Sequence, residues 1–224
     1  MQLPPTPRNE LLRALVAEVV HLYPAGRVIV AVDGIDGAGK TAFGDDLAAA
    51  FEESGHTAVR ATMDDFHRPR EERYRLGRES PEAFYRDSFD YLTFRRVLVD
   101  PFRMAGSAGF QRASFDLRRD APALTSWTTT DTDSVLIVDG IFLNRPELQG
   151  IWNYSILLDV PWDLAYARLA ERWGVDEEPQ AGSNTRYREG QELYFAEAAP
   201  RERANAIVDN TDPDHPLRVF ADHC

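Results

Sequence analysis

The sequence predicts an α/β fold in three layers, a mostly parallel sheet with helices on both faces. Short runs of β-branched and aliphatic residues recur along the chain, and amphipathic helical patterns alternate with them. The length, 224 residues, suits one domain. In order, residues 8–23 (RNELLRALVAEVVHLY) put Leu12, Leu15, Val16, Val19 and Val20 on one helical stripe, stopped by Pro24 and Gly26. Residues 28–32 read as a buried strand, 41–53 as a helix ended near Gly55, and 57–63 as a weaker strand. SVLIV (134–138) and YSILLDV (154–160) are further buried strands, followed by helices over 162–173 and 186–199 and a short final strand at 204–209. The rhythm breaks between residues 64 and 130 into arginines, aromatics, prolines and glycines, read as an insertion. Residues 1–26 form an N-terminal helical segment, and 176–184 read as a mobile loop.

Composition narrows the function classes. A net charge of -12 argues against nucleic acid or anionic membrane as a general partner. No apolar run approaches membrane-spanning length, and the N-terminus lacks the order of a secretory signal. Cys224 is the only cysteine, which rules out a disulfide framework and suggests a cytoplasmic setting. Lys40 is the only lysine, in a chain that otherwise uses arginine.

That lysine sits in GIDGAGKT, Gly34 to Thr41, which fits G-x-x-x-x-G-K-S/T with a strand before and a helix after. Gly34, Gly37 and Gly39, with Asp36 and Ala38 between them, let successive N–H groups converge on phosphate oxygens. The following helix points its positive end at the same anion. Lys40 would reach the β- and γ-phosphates of ATP, and Thr41 would hold Mg²⁺. Asp139, closing the strand SVLIVD, is the second metal candidate. The expected fold is therefore that of the P-loop NTPases. A guanine-specificity N-K-x-D is absent: VDNTD (208–212) lacks the lysine.

A phosphate loop does not name an activity. A small-molecule kinase also needs a carboxylate to orient the acceptor hydroxyl and a lid to exclude water. MDDFHR ends the second strand with Asp64 and Asp65, either of which could serve from its position alone. The order VDGIDGAGKT, MDDFHR, SFDY, VDGIF and LDVPWDLAYARLAER resembles the uridine kinase family of P-loop nucleoside kinases over about residues 27–212. The resemblance implies Asp64 as catalytic base, with Asp65, Phe66, His67 and Arg68 beside the substrate and His67 in place of the usual tyrosine. It implies Asp90 on the ribose hydroxyls, a weak echo of the base-recognition segment at Phe115, and Asp139 in place of a glutamate. Arg168 and Arg172 match the family's arginine-rich lid on the nucleotide, expected over 168–190. Its acidic continuation is replaced by Val175, so Arg186 and Arg188 are candidates to take over toward the substrate.

The reaction so implied is ATP- and Mg²⁺-dependent phosphorylation of a small-molecule hydroxyl, foremost the 5′-hydroxyl of a pyrimidine nucleoside. Pantothenate, phosphoribulose, sugar and thymidylate kinases are rivals on the same scaffold, and a non-catalytic nucleotide-binding regulator is a rival of another class. A homo-oligomer is compatible with the sequence. RPREERYRLGR (68–78) reads equally as an ion-paired helix or a substrate flap, and the same ambiguity attaches to Arg118 and Arg119. Trp152, Trp162, Tyr166 and Trp173 are expected in the core or an interface. His21, His56, His215 and His223 lack metal-ligand spacing.

Overall fold

In the computed structural model, residues 2–104 and 108–220 are described. His223 and Cys224 lie outside them. A sheet in the order β2-β5-β1-β6-β7-β8 runs through the molecule. Its parallel strands are β1 (Val28–Gly34), β2 (Ala58–Thr62), β5 (Val135–Asp139), β6 (Tyr154–Asp159) and β7 (Ala206–Asp209). β8 (Leu217–Val219) joins β7 antiparallel. The sequence reading ended the sheet at β7, because β8 is three residues long and partly exposed, with little apolar pattern to betray it.

Alternation along the central strands explains why both faces are covered. Val28, Val30 and Val32 of β1, with Val135 and Ile137 of β5, enter one core. Ile29 and Ala31, with Leu136 and Val138, enter the other. A parallel strand buried on both sides has no polar face to show, hence the unbroken apolar runs. The first core is roofed by α1 (Pro7–Leu22) and α2 (Lys40–Glu53). Thr6 caps α1 by accepting from the Asn9 amide, and Pro7 supplies a pre-set first turn.

The second core is built largely from the 64–130 segment. A 3₁₀ turn (Met63–Phe66) leads into α3 (Arg70–Arg73), α4 (Pro81–Asp87) and α5 (Tyr91–Phe94). A π-helical turn (Arg95–Val99) then joins α6 (Asp100–Met104). A two-residue hairpin, β3 (Phe115–Asp116) with β4 (Ala121–Pro122), follows. Phe66, Phe89, Phe94, Phe102, Phe110 and Phe142 are buried here. The aromatic richness of the segment is thus core material, with edge-to-face pairs such as Phe66–Phe94 at 5.1 Å between centroids. The remaining helices are α7 (Trp162–Trp173), α8 (Thr185–Ala198) and α9 (Pro200–Arg203). No helix among the described residues is long and apolar enough to cross a membrane.

Candidate active site

Parallel register places the site. Asp139 lies level with Val32 of β1 on one side and Thr62 of β2 on the other. The C-terminal ends of three adjacent strands therefore deliver the glycine loop, Asp139 and the 3₁₀ turn carrying Asp64 to one edge, where α/β sheets bind ligands.

The loop is shaped by contacts a larger residue would break. Gly37 (φ 78°) faces the Ala165 backbone so closely that a Cβ has no room. Gly39 (φ 89°) is the N-cap of α2, and a Cβ there would stand 2.9 Å from Asn210 Nδ2. Asn210 in turn donates to the Ala38 carbonyl at 2.7 Å. Gln191 of α8 accepts from the Asp36 amide at 2.7 Å. Among the described residues no acceptor pairs with the amides of Gly37, Gly39, Lys40 or Thr41. A row of free N–H groups at a helix start is an anion cradle. Lys40 Nζ donates to the Ile35 carbonyl at 2.8 Å, bent back across the loop.

Thr41 Oγ1 donates to Asp139 Oδ2 at 2.8 Å. The other carboxylate oxygen, Oδ1, accepts from Arg60 Nη2 at 2.8 Å. Arg60 reaches from β2, also bonding Asp45 and the Ile137 carbonyl, and lies over Gly44 of α2, where a Cβ would meet the guanidinium at 2.6 Å. A hydroxyl and a carboxylate oxygen together are the donor set of a hard divalent cation, so these residues fit Mg²⁺.

Asp64 stands solvent-reachable at the end of the next strand, its amide bonded to Thr62 Oγ1. Desolvation by the surrounding protein pushes its carboxyl above the ordinary range, Lys40 pulls it back, and Asp139 adds to the rise. Asp65 and Asp36 are also raised, first by desolvation, and Asp36 senses Lys40, Asp64 and His67. These groups share one space. His67 Nδ1 lies 2.7 Å from the Asp64 carbonyl, which fixes Nδ1 as the donor nitrogen, and its ring tilts on Phe89 at 4.5 Å. Burial lowers the His67 pKa to about 4, so the ring is neutral at physiological pH.

Other predicted site residues are placed as follows. Asp90 caps α5 by accepting from Thr93 N at 2.9 Å, while its amide donates to the Phe66 carbonyl. Phe66 and Phe115 are buried, and the Asp65 carbonyl accepts from Ser114 N beside the hairpin. Arg68 bonds the Phe89 carbonyl and pairs with Glu72, and Arg73 pairs with Asp120, so the 68–78 stretch is laced with ion pairs. Arg168 spans the Gly37, Asn210 and Thr211 carbonyls at the outer wall of the loop.

Three further arginines of the expected lid region make the following contacts. Arg172 stacks on Trp173 and makes no bond to the loop. Arg186 is buried, donating to the Arg78 carbonyl and lying over Tyr74 and Phe84, which makes it a strut to α4. Arg188 pairs with Glu189 and Glu192, and its buried Nε is without a partner among the described residues. Within the 176–184 loop, Asn184 Nδ2 donates to the Asp176 and Glu178 carbonyls. Trp173 is 64% exposed, which excludes it from the core and leaves the interface half of the expectation. Among the described residues no His, Cys, Asp or Glu cluster of metal-binding form occurs.

Sequence reasoning missed Arg60, Asn144, Gln191, Tyr194 and Asn210. It also missed Asp33, which is fully buried and accepts from the Gly34 amide, from the Asn144 amides and from the Tyr194 hydroxyl. Burial raises the Asp33 pKa despite these donors. The one available signal was Asp33 itself, a carboxylate inside an apolar strand, which demands buried partners.

No family model matches the chain, and no curated protein matches it by sequence. Solved structures do. A possible uridine kinase from Bacillus stearothermophilus superposes with TM-score 0.69 at 20% identity, covering 88% of this chain and 97% of that one. A protein from Silicibacter sp. TM1040, proposed to be a fructose transport system kinase, gives 0.65 at 27%, covering 84% and 95%. Phosphoribulokinase from Rhodobacter spheroides gives 0.55 at 16%, covering 82% and 70%. The fold is that of the P-loop kinases, in its uridine kinase-like form.

Proposed function

We propose that this chain is an ATP- and Mg²⁺-dependent kinase that phosphorylates a hydroxyl of a small metabolite. The observation that supports it best is the convergence at one sheet edge of the free loop amides, the Thr41–Asp139 pair and Asp64. The amides of Gly37, Gly39, Lys40 and Thr41, with the Lys40 ammonium, bind and neutralise the triphosphate. Mg²⁺, held by Thr41 and Asp139, would neutralise charge on the phosphate oxygens. Asp64 takes the acceptor O–H proton as the oxygen bonds to the γ-phosphorus, and the bond from that phosphorus to the bridging oxygen breaks to leave ADP. The uncharged His67 ring stands beside Asp64 without competing for that proton.

The finer reading is a pyrimidine nucleoside 5′-hydroxyl, with Asp90 toward the ribose. Asp90 keeps one carboxylate oxygen beyond the one that caps α5, and Phe115 lies near the same turn. ADP release with ATP, Mg²⁺ and uridine is the direct assay. Lys40→Ala abolishes turnover, and Asp64→Asn lowers kcat by about 10²- to 10⁴-fold, the usual weight of a general base. Near-wild-type turnover in Asp64→Asn would remove that residue from the role.

A further inference from the structure

A cavity of about 410 Å³ opens beside the phosphate loop, between α7, the 174–184 loop and the first turn of α8. That volume is within the range of ligand sites. Tyr166, Leu169, Val175 and Tyr187 give it apolar walls, and Asp36 forms the wall nearest the loop. Val175 and Tyr187 remain 39% and 45% exposed. Apolar surface left open inside a concavity is the mark of a binding site. The outer wall is held in place, because Gly174 (φ 68°) ends α7 and Asn184 ties down the loop by its two carbonyl bonds. The cavity is therefore preformed.

Two features say what fits. Asp36 belongs both to the cavity wall and to the phosphate loop, four residues before Lys40, so the cavity opens directly beside the phosphate site. The ionisable groups with charge in its lining are acidic, Asp36 and Asp176, and neither arginine nor lysine is among them. An anionic group placed there would meet the like charges of Asp36 and Asp176 in the wall itself, which disfavours it relative to an uncharged group.

We infer that this cavity receives the non-reacting arm of the acceptor, and that the acceptor is an alcohol whose arm is an uncharged ring or branched chain, not a phosphorylated one. Asp36 accepts a hydrogen bond from a second hydroxyl on that acceptor. The inference rests on the kinase reading above, and it places the arm on the α7–α8 side of Asp36.

A matched series tests it: glycerol, 1-O-phenylglycerol and glycerol 3-phosphate share a reacting diol or hydroxyl and differ in the arm. With ATP and Mg²⁺, kcat/KM for ADP release is expected to be at least about tenfold higher for the phenyl ether than for glycerol, the discrimination a few apolar carbons give. The phosphate is expected to be poorest. Leu169→Trp, which fills the cavity, and Val175→Asp, on an exposed position, should each raise the phenyl-ether KM more than the ATP KM. Saturation-transfer NMR supplies a readout without turnover: the phenyl protons contact the wild-type protein and lose contact in both cavity variants. A flat series, a preference for the phosphate, or phenyl contact that survives both substitutions overturns the inference. If no alcohol in the series or wider panel releases ADP but the variant-sensitive phenyl contact stands, the kinase reading has failed and the cavity has not.

Discussion

Asp64 carries at the sheet edge a carboxyl that the fold itself perturbs. Its carboxyl is raised chiefly by desolvation, so the folded chain holds that proton more tightly than the unfolded chain does. The sign follows: ionised Asp64 destabilises the fold at neutral pH, and the penalty fades as pH falls through the raised folded-state pKa. Asp64→Asn is therefore expected to melt above wild type at pH 7, with the difference vanishing on acidification, even as activity is lost. In the wild type, kcat/KM falls as pH drops through the same raised value, because only the carboxylate accepts the hydroxyl proton. Thermal unfolding and pH-rate profiles check both halves, and an Asp64→Asn protein less stable than wild type at pH 7 contradicts the electrostatic account. The placement of Asp64, Lys40, Thr41 and Asp139 at one sheet edge was legible because each sits at a fixed offset from a strand end. Arg60 was not. Its role depends on β2 lying beside β5, which no local spacing declares.

At the level of elements, α8 does more than its helical pattern suggests. It braces the phosphate loop at two points, through Gln191 on the Asp36 amide and Tyr194 on Asp33, and reaches the α3–α4 region through Arg186. The sequence showed a helix over nearly these residues but not its contacts, whose partners lie more than a hundred residues away. That distance also explains why the contacts of Arg186 and Arg188 did not show in the sequence, since a charged side chain on a helix looks the same whether it faces solvent or is packed in a strut. Tyr194→Phe isolates the brace. It removes a hydroxyl that donates to Asp33 and accepts from the Asn144 amide at 3.0 Å. The loss leaves buried polar groups short of a partner, costing about 1–3 kcal/mol in urea unfolding. The ATP KM should rise as well, because Asp33 also holds the Gly34 amide at the loop entrance. Unchanged stability and unchanged KM together would show that α8 merely packs against the loop.

Across the whole molecule, the strand order turns dispersed residues into a site. Alternating strands and helices foretold a parallel sheet, but a doubly wound sheet allows several orders, and β2-β5-β1 is the one that sets Asp139 between the glycine loop and Asp64. The site is also the place where a chain of net charge -12 concentrates what binds an anion, its one lysine and the free amides of α2's first turn. Nucleotide should then act as a structural ligand, since the cradle exists only in the folded chain. At a hundredfold excess over Kd, Mg-ATP adds about 2.7 kcal/mol to stability. In a chain of this size that raises Tm by roughly 5–10 °C. Omitting Mg²⁺ should shrink the shift, because the Thr41–Asp139 pair then faces the phosphates with no cation between, and Lys40→Ala should nearly erase it. A shift of equal size in Lys40→Ala, or one indifferent to Mg²⁺, would mean that nucleotide binds elsewhere on the surface and that the loop amides are not its seat.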